Sequence, residues 1–384
     1  MKKTADIVII GAGIIGVSIA YYLGKMGAKN VVVLEKDHIC EGSTALCAGG
    51  IRRQYTSDIA MQFAQKSFEV FQNFKEEFDV DPQFHPVGYL FLATSLEEWD
   101  IFQQNVAFQN KYNVPSQILT QEEIGKRWPY LNTEDVYGGA FCDTDGYASP
   151  HEITHAIAKK ARTLGIDIFE ETEVKNIEVR HDRVVSVTAG EYRVETPIVV
   201  NAAGPYAENV GRLAGIHIPV KPIRRQLFIT DPFDQLPESV PLTIDHKQNF
   251  YFRREGKTVL LSGPQDEIPS FNLNTDFDSM VETAEKAMYR VPVFENTNIA
   301  RGWGGLYEIS PDNNAILGKV PEIGGLILAN GFSGHGFQHG PATGMVIAEV
   351  IVNGRTETID IEKLSYERFR KGELIKESLT AFHD

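Results

Sequence analysis

The sequence is short of cysteine, of long apolar runs and of positive charge, and each shortage removes a class of protein. Three cysteines among 384 residues, Cys40, Cys47 and Cys142, make neither a disulfide framework nor a paired CxxC zinc site. Thiols at this low level fit a reducing compartment, so a cytoplasmic protein is expected. No stretch approaches the roughly 20 apolar residues that span a bilayer. The first apolar run, residues 7–10, is too short for a signal-peptide core and runs straight into glycines. Lys and Arg number 37 against 52 Asp and Glu, a net charge of −15. Nucleic acid and anionic membrane surfaces select the opposite balance, so neither is expected as a partner. No internal repeat or low-complexity tract is present, and no metal site is expected.

What is present has an ordinary globular composition, 42% hydrophobic and 23% charged. At roughly 100–200 residues per domain, two domains are expected. Ile7-Val8-Ile9-Ile10 is a continuous β-branched run, the pattern of a strand buried on both faces. A glycine turn follows, then helical spacing over residues 14–26, then a second buried strand over residues 31–34. This is a βαβ unit. Its turn reads Gly11-Ala12-Gly13-Ile14-Ile15-Gly16, a GxGxxG in the strand-to-helix context that gives the pattern meaning. Gly11 allows the tight turn, Gly13 the approach of a pyrophosphate, and Gly16 the packing of helix on strand. Phosphate charge would face the positive end of the helix dipole. Glu35 ends the second strand and is placed to accept hydrogen bonds from ribose hydroxyls, which favours an adenosine without a 2′-phosphate. The motif does not separate FAD from NAD.

Further on, an amphipathic helix is predicted over residues 59–78, a strand over 88–93 and a helix over 96–111. Another helix covers 151–164 behind Pro150, with short strands near Val174, Val184 and Tyr192. Residues 198–200 form a buried strand that leads into Asn201-Ala202-Ala203-Gly204. Residues 221–307 are mostly β, broken by a helix near 277–289. A buried strand at 326–328 precedes a glycine-rich stretch and a helix from about 342 to 352. Parallel-sheet elements thus occur at the start, middle and end. The fold class is α/β with an α+β second domain. A discontinuous nucleotide-binding domain covers 1–80, 145–216 and 310–384, and a substrate domain on a large mixed sheet covers 81–144 and 217–309.

Three more segments point to FAD. Residues 42–52 are dominated by small and hydroxyl side chains, with Ser43, Thr44, Gly49, Gly50 and Ile51 suited to run close to a planar ligand. Ala202, Ala203 and Gly204 offer another close backbone approach. In residues 330–338, Gly331, Ser333, Gly334, His335, Gly336, Phe337 and Gln338 lead into a helix. A helix N-terminus there would stabilise the negative charge of a reduced flavin.

These segments, in this order, resemble the D-amino-acid-oxidase-type FAD oxidoreductases over nearly the whole chain. Within that family the chain resembles sarcosine oxidase β subunits and the β subunit of dye-linked L-proline dehydrogenase. The resemblance is carried by residues 42–55, 88–92, 143–150, 302–312 and 331–337, the last reading Gly-Phe-Ser-Gly-His-Gly-Phe, and by Lys371-Gly372-Glu373-Leu374. It implies a Rossmann-type FAD domain and hydride transfer from the substrate α-carbon to flavin N5, giving an imine that water hydrolyses. It implies cofactor contacts from Gly11, Gly13, Ile14, Ile15, Gly16, Glu35, Lys36, Val174, Gly305 and the three segments above. Arg52, in Ile51-Arg52-Arg53-Gln54-Tyr55, matches an Arg that pairs with the substrate carboxylate. His335 is a candidate proton acceptor or a loop histidine bonded to backbone. Tyr251 and Tyr307 either orient substrate or are buried aromatics.

The chain departs from its relatives at four points. Single-chain sarcosine oxidases attach flavin through a Cys two residues before a Tyr. Here the Tyr is Tyr307 and that residue is Gly305, so FAD is expected to be non-covalent, with Cys47 a small buried thiol. Glycine oxidases place a carboxylate-binding Arg near this Tyr, whereas Glu308 follows it here. The Lys that follows Phe337 in sarcosine oxidases is Gln338. The flavin-facing Lys near Leu260 is replaced in Thr258-Val259-Leu260-Leu261, which favours a dehydrogenase over an oxidase. The expected substrate is a small secondary amino acid of the L-proline or sarcosine type, the electron acceptor being oxygen, a quinone or a dye-type carrier. Glycine oxidase or D-amino-acid dehydrogenase activity is the alternative. A homo-oligomer is an open possibility, as is an FAD-carrying β subunit active only with partner subunits.

Overall fold

The computed structural model describes residues 3–375. The ends of the predicted nucleotide-binding domain, residues 1–2 and 376–384, lie outside the described residues. In chain order the elements begin with β1 (Ile7–Ile10), α1 (Ile14–Lys25), β2 (Val31–Leu34) and β3 (Gly50–Ile51). Next come α2 (Asp58–Gln72), α3 (Phe74–Phe78), β4 (Tyr89–Ala93), α4 (Leu96–Lys111), β5 (Gln117–Thr120), α5 (Gln121–Arg127), β6 (Gly138–Cys142) and β7 (Gly146–Tyr147). The middle holds α6 (Pro150–Thr163), β8 (Asp167–Phe169), β9 (Val174–Arg180), β10 (Arg183–Ala189), β11 (Tyr192–Glu195), β12 (Val199–Asn201) and α7 (Ala207–Leu213). Then follow β13 (Lys221–Thr230), β14 (Leu242–Asp245), β15 (Phe250–Glu255), β16 (Thr258–Gln265), α8 (Phe277–Arg290) and β17 (Ile299–Ile309). The last are β18 (Ile316–Lys319), β19 (Leu326–Asn330), α9 (Gly336–Val352) and α10 (Glu367–Lys371).

A six-stranded sheet has the order β18-β19-β12-β1-β2-β8, parallel except where β18 meets β19. Its continuous apolar strands are explained by cover on both faces. Ile7, Ile9, Val31 and Val33 pack with α1, α6 and α9 on one side. Val8, Ile10, Val32 and Leu34 pack with the three-stranded sheet β9–β11 and with α7 on the other. Helix α9 presses close to α1 because Gly340 and Gly344 lie one turn apart on its inner face. A Cβ on Gly344 would lie 2.6 Å from the Ser18 backbone.

The second large sheet has eight strands in the order β17-β13-β16-β15-β14-β4-β6-β5, antiparallel except for the β4–β14 pair. Alternation again divides its side chains. Phe228, Phe250, Phe252 and Leu261 form a core with Ala287 and Val291 of the α8 segment. Leu227, Leu242, Ile244, Tyr251 and Leu260 occupy the opposite face. The short β3–β7 pair brings residues 50–52 against this second face.

Two predicted helices need correction. The helix expected over residues 59–78 is two helices, because Asn73 leaves helical geometry and its side chain turns back to the Glu69 carbonyl at 2.8 Å. The helix expected from about residue 342 begins six residues earlier, at Gly336, with Pro341 inside it. Burial of its first turn between α1 and α2 outweighs proline's preference for a helix start. Strand β5 and helix α5 were not expected from the apolar pattern. They are a half-buried edge strand and a short helix of seven residues, opened by a Thr120–Glu123 capping box.

Candidate active site

A cavity of about 960 Å³ lies between the first turn of the chain and the eight-stranded sheet. Its two ends are set by the N-termini of the two helices that pack together, α1 and α9. Of the six helices with twelve or more described residues, α2, α4, α6 and α8 each start with a Ser or Asp side chain bonded to a first-turn N–H. The other two, α1 and α9, have no such cap and no acidic residue in the first turn. Helix starts normally satisfy their orphan N–H groups, so these two leave positive dipole ends for a ligand. FAD has a central pyrophosphate that one helix start could face and a ring that gains negative charge on reduction for the other, and the residues fit it.

At the α1 end, Gly11 has φ +106°, and a Cβ there would stand 2.4 Å from the Ala202 carbonyl oxygen. The cavity is lined here by Gly11, Gly13, Ile14 and Ile15. Thr44 Oγ1 accepts the Ile14 N–H at 3.2 Å and so joins residues 42–50 to this turn. Glu35 lines the cavity and accepts the Ala12 N–H at 2.7 Å and the Asp37 N–H at 3.0 Å. Its lone pairs are thus shared between the turn and any ligand hydroxyl. Lys36 Nζ lies 4.6 Å over the Tyr206 ring, and Val174, Ala202, Ala203 and Gly204 complete this part of the wall.

Towards the other end the wall is Ser43, Thr44, Gly49, Gly50 and Gly305 on one side and Ser333, Gly334, His335, Gly336, Phe337 and Gln338 on the other. Ser43 Oγ donates to the Leu306 carbonyl at 2.6 Å, which ties the small-residue loop to β17. Ser333 holds a left-handed φ of 49°, stabilised by its N–H to the Glu308 carbonyl at 3.1 Å and by the Ser310 N–H bonding its Oγ at 3.1 Å. Three expected contacts do not line the cavity. Gly16 packs against the Gly11 carbonyl, Ile51 is buried in the core, and Gly331 packs against Ser310 and Ile316. Each supports a neighbour that does reach the cavity.

Tyr251 and Tyr307 meet beneath the eight-stranded sheet. Burial raises both phenols above their ordinary range, and the Tyr307 hydroxyl adds to the rise at Tyr251, whereas at Tyr307 the Arg225 and Arg52 charges and the hydrogen bond with Tyr251 oppose it. Arg52 lines the same region. Its backbone N–H is taken by the Gln338 side-chain oxygen at 3.0 Å, so Gln338 is engaged with Arg52 itself. The Arg52 guanidinium donates to the Gln54 carbonyl, lies 3.3 Å from His335 Nε2 and sits 4.2 Å over the Tyr55 ring. His339, one turn along α9, is held down to about 3, chiefly by burial and then by the Arg52 charge, so it stays neutral.

Two cavity residues escaped the motif reading. Arg225 is buried in β13, where three consecutive polar residues, Arg224, Arg225 and Gln226, give no sign of which one faces inward. Glu308 follows Tyr307 and is buried at the start of α9, accepting the Gly331 N–H at 3.0 Å. Burial pushes its carboxyl up to about 7 against the opposing pull of the Gly331 and Phe332 N–H groups. The two lysines that flank β15 are not cavity residues. Lys247 and Lys257 are exposed, and Leu260 takes the inward position. No helix among the described residues is long and apolar enough to cross a membrane.

Comparison with known proteins agrees with this geometry. The family described as "DAO: FAD dependent oxidoreductase" matches residues 6–350. The chain is 31% identical to FAD-dependent oxidoreductase domain-containing protein 1 of Xenopus laevis, over 96% of this chain and 83% of that protein. It is 24% identical to sarcosine oxidase subunit beta of Rhodobacter capsulatus, over 99% of this chain and 92% of that one. Among solved structures, L-proline dehydrogenase from P. horikoshii superimposes with a TM-score of 0.91 at 34% identity, covering 98% of this chain and all of the other.

Proposed function

The chain belongs to the family of FAD-dependent oxidoreductases, and from that premise we propose that it oxidises a small secondary amino acid of the L-proline or sarcosine type at the Cα–N bond. FAD is its cofactor, and amino acids are the substrates of its relatives in this family. The observation that carries the proposal is the pairing in one cavity of two helix starts that have no N-cap side chain of their own, with Arg52, Tyr251 and Tyr307 at the far end from α1.

The bound flavin supplies a two-electron acceptor at a ring nitrogen. The work of the protein is to bind, orient and exclude water. Arg52 holds the substrate carboxylate, and the tyrosine pair bounds the amine. The neutral amine is the form that reacts, and His335 beside Arg52 takes its proton. The start of α9 would supply positive dipole charge to stabilise the negative charge of the reduced ring. The FAD is held non-covalently. Gly305 has no side chain to attach, and the Cys47 thiol is pushed up to about 11, mainly by burial, so it is not a thiolate at neutral pH. Leu260 at the inward position of β16 favours an electron acceptor other than oxygen.

A subunit role is the second reading. The loop before α8 and the first residue of α8 expose Ile268, Phe271, Leu273 and Phe277, of which Leu273 lines the cavity, and a relative is a named β subunit. Three free thiols favour a cytoplasmic setting. Anaerobic titration of the yellow protein with sarcosine, L-proline, glycine and D-amino acids tests the proposal, followed by air and then a dye. Bleaching by a secondary amino acid, with recovery faster in dye than in air, is expected. A flavin that no amino acid bleaches would refute it. Gel filtration of the same sample reads the subunit question.

A further inference from the structure

Helix α9 starts without a cap of its own, yet an acid reaches that start from another element. Gly336 is the first residue of α9, and a Cβ placed on it would stand 3.9 Å from Glu308 Oε1. Glu308 Oε2 accepts the Gly331 N–H at 3.0 Å, and its main-chain carbonyl accepts the Ser333 N–H at 3.1 Å. Side chain and backbone are thus both tied to the turn that leads into α9. The residue is 9% exposed and belongs to the cavity wall. The other acidic residues of that wall, Glu35, Asp37, Glu41 and Glu173, lie in segments bonded to the α1 turn or to Glu35 itself.

The charged and titratable groups around Glu308 come from four elements. Tyr307 precedes it on β17 and alternates to the opposite side, with Tyr251. Its register partner on β13 is Pro222. Lys221 beside Pro222 is exposed, and Arg224 is held by Asp266 and Asp276. Asp312, in the segment after β17, is closed in an ion pair with Arg368. On the α9 side, His335 lies 3.3 Å from the Arg52 guanidinium, and His339 is neutral. Among the described residues, no hydrogen bond or ion pair joins the Glu308 carboxyl to a charged side chain.

A helix start carries about half a positive charge, and one ionised carboxylate beside it outweighs that. A ring that gains negative charge on reduction and an ionised Glu308 therefore disfavour each other across a wall of low dielectric. We infer that Glu308 is a positioning residue that acts through the start of α9, taking up a proton when the flavin is reduced so that the helix start faces the charged ring uncancelled. The balance closes. Two electrons and one proton enter the ring as a hydride. One further proton, from solvent, turns the Glu308 carboxylate into a carboxylic acid. In turnover, the ammonium form of an amine substrate returns one proton to solvent before its hydride leaves. Burial already holds the carboxyl up at about 7 before reduction, so the uptake belongs to pH values above that. The inference rests on FAD being bound and is independent of which substrate reduces it.

The test uses the FAD-loaded full chain, reduced anaerobically by dithionite beside a dye of known potential, with no amine present. The midpoint potential is followed from about pH 6 to about pH 9. One proton per two electrons is expected below about pH 7 and two above it, so the line becomes about twice as steep on the alkaline side. Protonation of the reduced ring itself would bend the line the other way, steeper on the acid side. Glu308→Gln should give one straight line at the shallower slope, and Glu308→Asp should keep the bend. If Glu308→Gln no longer holds flavin, infrared difference spectra at about pH 8.5 decide the matter on the unmodified protein and Glu308→Asp. A carboxylic-acid carbonyl band gained on reduction and moved by Glu308→Asp is expected, and an absent or unmoved band overturns the inference. A single slope in the unmodified protein also overturns it. So does a bend that Glu308→Gln retains, because another group such as His335 would then carry the proton. Dithionite replaces the substrate throughout, so these outcomes are separate from the amine-oxidation reading, which fails if no amino acid bleaches the flavin.

Discussion

Glu308 makes stability fall as pH rises, and the size of the fall can be worked from its surroundings. The carboxyl is buried and accepts from the backbone N–H groups of Gly331 and Phe332, and it gives up its proton at about 7. In the unfolded chain the same group titrates near the ordinary value of 4.5. Its folded value is therefore raised, and the sign follows from counting protons. Between the two values the folded protein binds a proton that the unfolded chain has lost, so rising pH favours unfolding. The contribution is complete below pH 4.5 and gone above about 7. At about 1.4 kcal/mol per pH unit, Glu308 removes about 3 kcal/mol of stability across that window. Glu308→Gln keeps an oxygen for the Gly331 N–H but carries no charge to desolvate. Urea unfolding of the FAD-loaded proteins at pH 5 and pH 8 reads the difference. Relative to pH 5, the variant at pH 8 should gain about 3 kcal/mol on the unmodified protein. Carboxylates with lowered values, such as Asp312 beside Arg368, push the other way but are common to both proteins and cancel. Parallel pH–stability curves for the two proteins would refute the reasoning, because they would mean that Glu308 is solvated or already charged.

Other outcomes follow from the same geometry. Gly11→Ala forces a side chain into φ +106° and against the Ala202 carbonyl. It should cost at least about 2 kcal/mol in urea unfolding and lower the flavin-to-protein absorbance ratio. Arg52→Gln should raise KM for the amino acid roughly 10- to 100-fold, the worth of a charge-assisted pair, with a smaller fall in kcat in steady-state dye reduction. An equal fall in kcat with unchanged KM would remove Arg52 from substrate binding. Acid precipitation of the unmodified protein should release all of the yellow colour to the supernatant, and Cys47→Ser should behave identically. Colour retained in the pellet would mean a covalent flavin.

What could be read directly from residue order was local. A β-branched run, a glycine turn and an apolar helix lie within thirty-odd residues, so Ile7–Ile10, Gly11 and Ile14–Lys25 reveal a βαβ unit without knowledge of anything distant. The family was legible for the same reason, because its signatures are contiguous strings such as residues 331–337. Helix ends were less legible. Pro341 argues for a helix start by its own chemistry, yet α9 begins at Gly336 because α1 and α2 bury that turn.

The sequence by itself determined the first βαβ unit with its glycine turn and the family, since these depend on spacing along the chain. Only the tertiary structure decided which side chains meet. Arg224 and Arg225 are neighbours of the same type, and strand alternation sends one to Asp266 and the other to the cavity. Gln338 and Arg52 are 286 residues apart in the chain, yet one closes on the backbone of the other. Glu308 resembles any surface carboxylate until β17 and α9 enclose it. Charge, burial and reach depend on distance in space, and chain order does not encode that distance until the sheets and helices have packed.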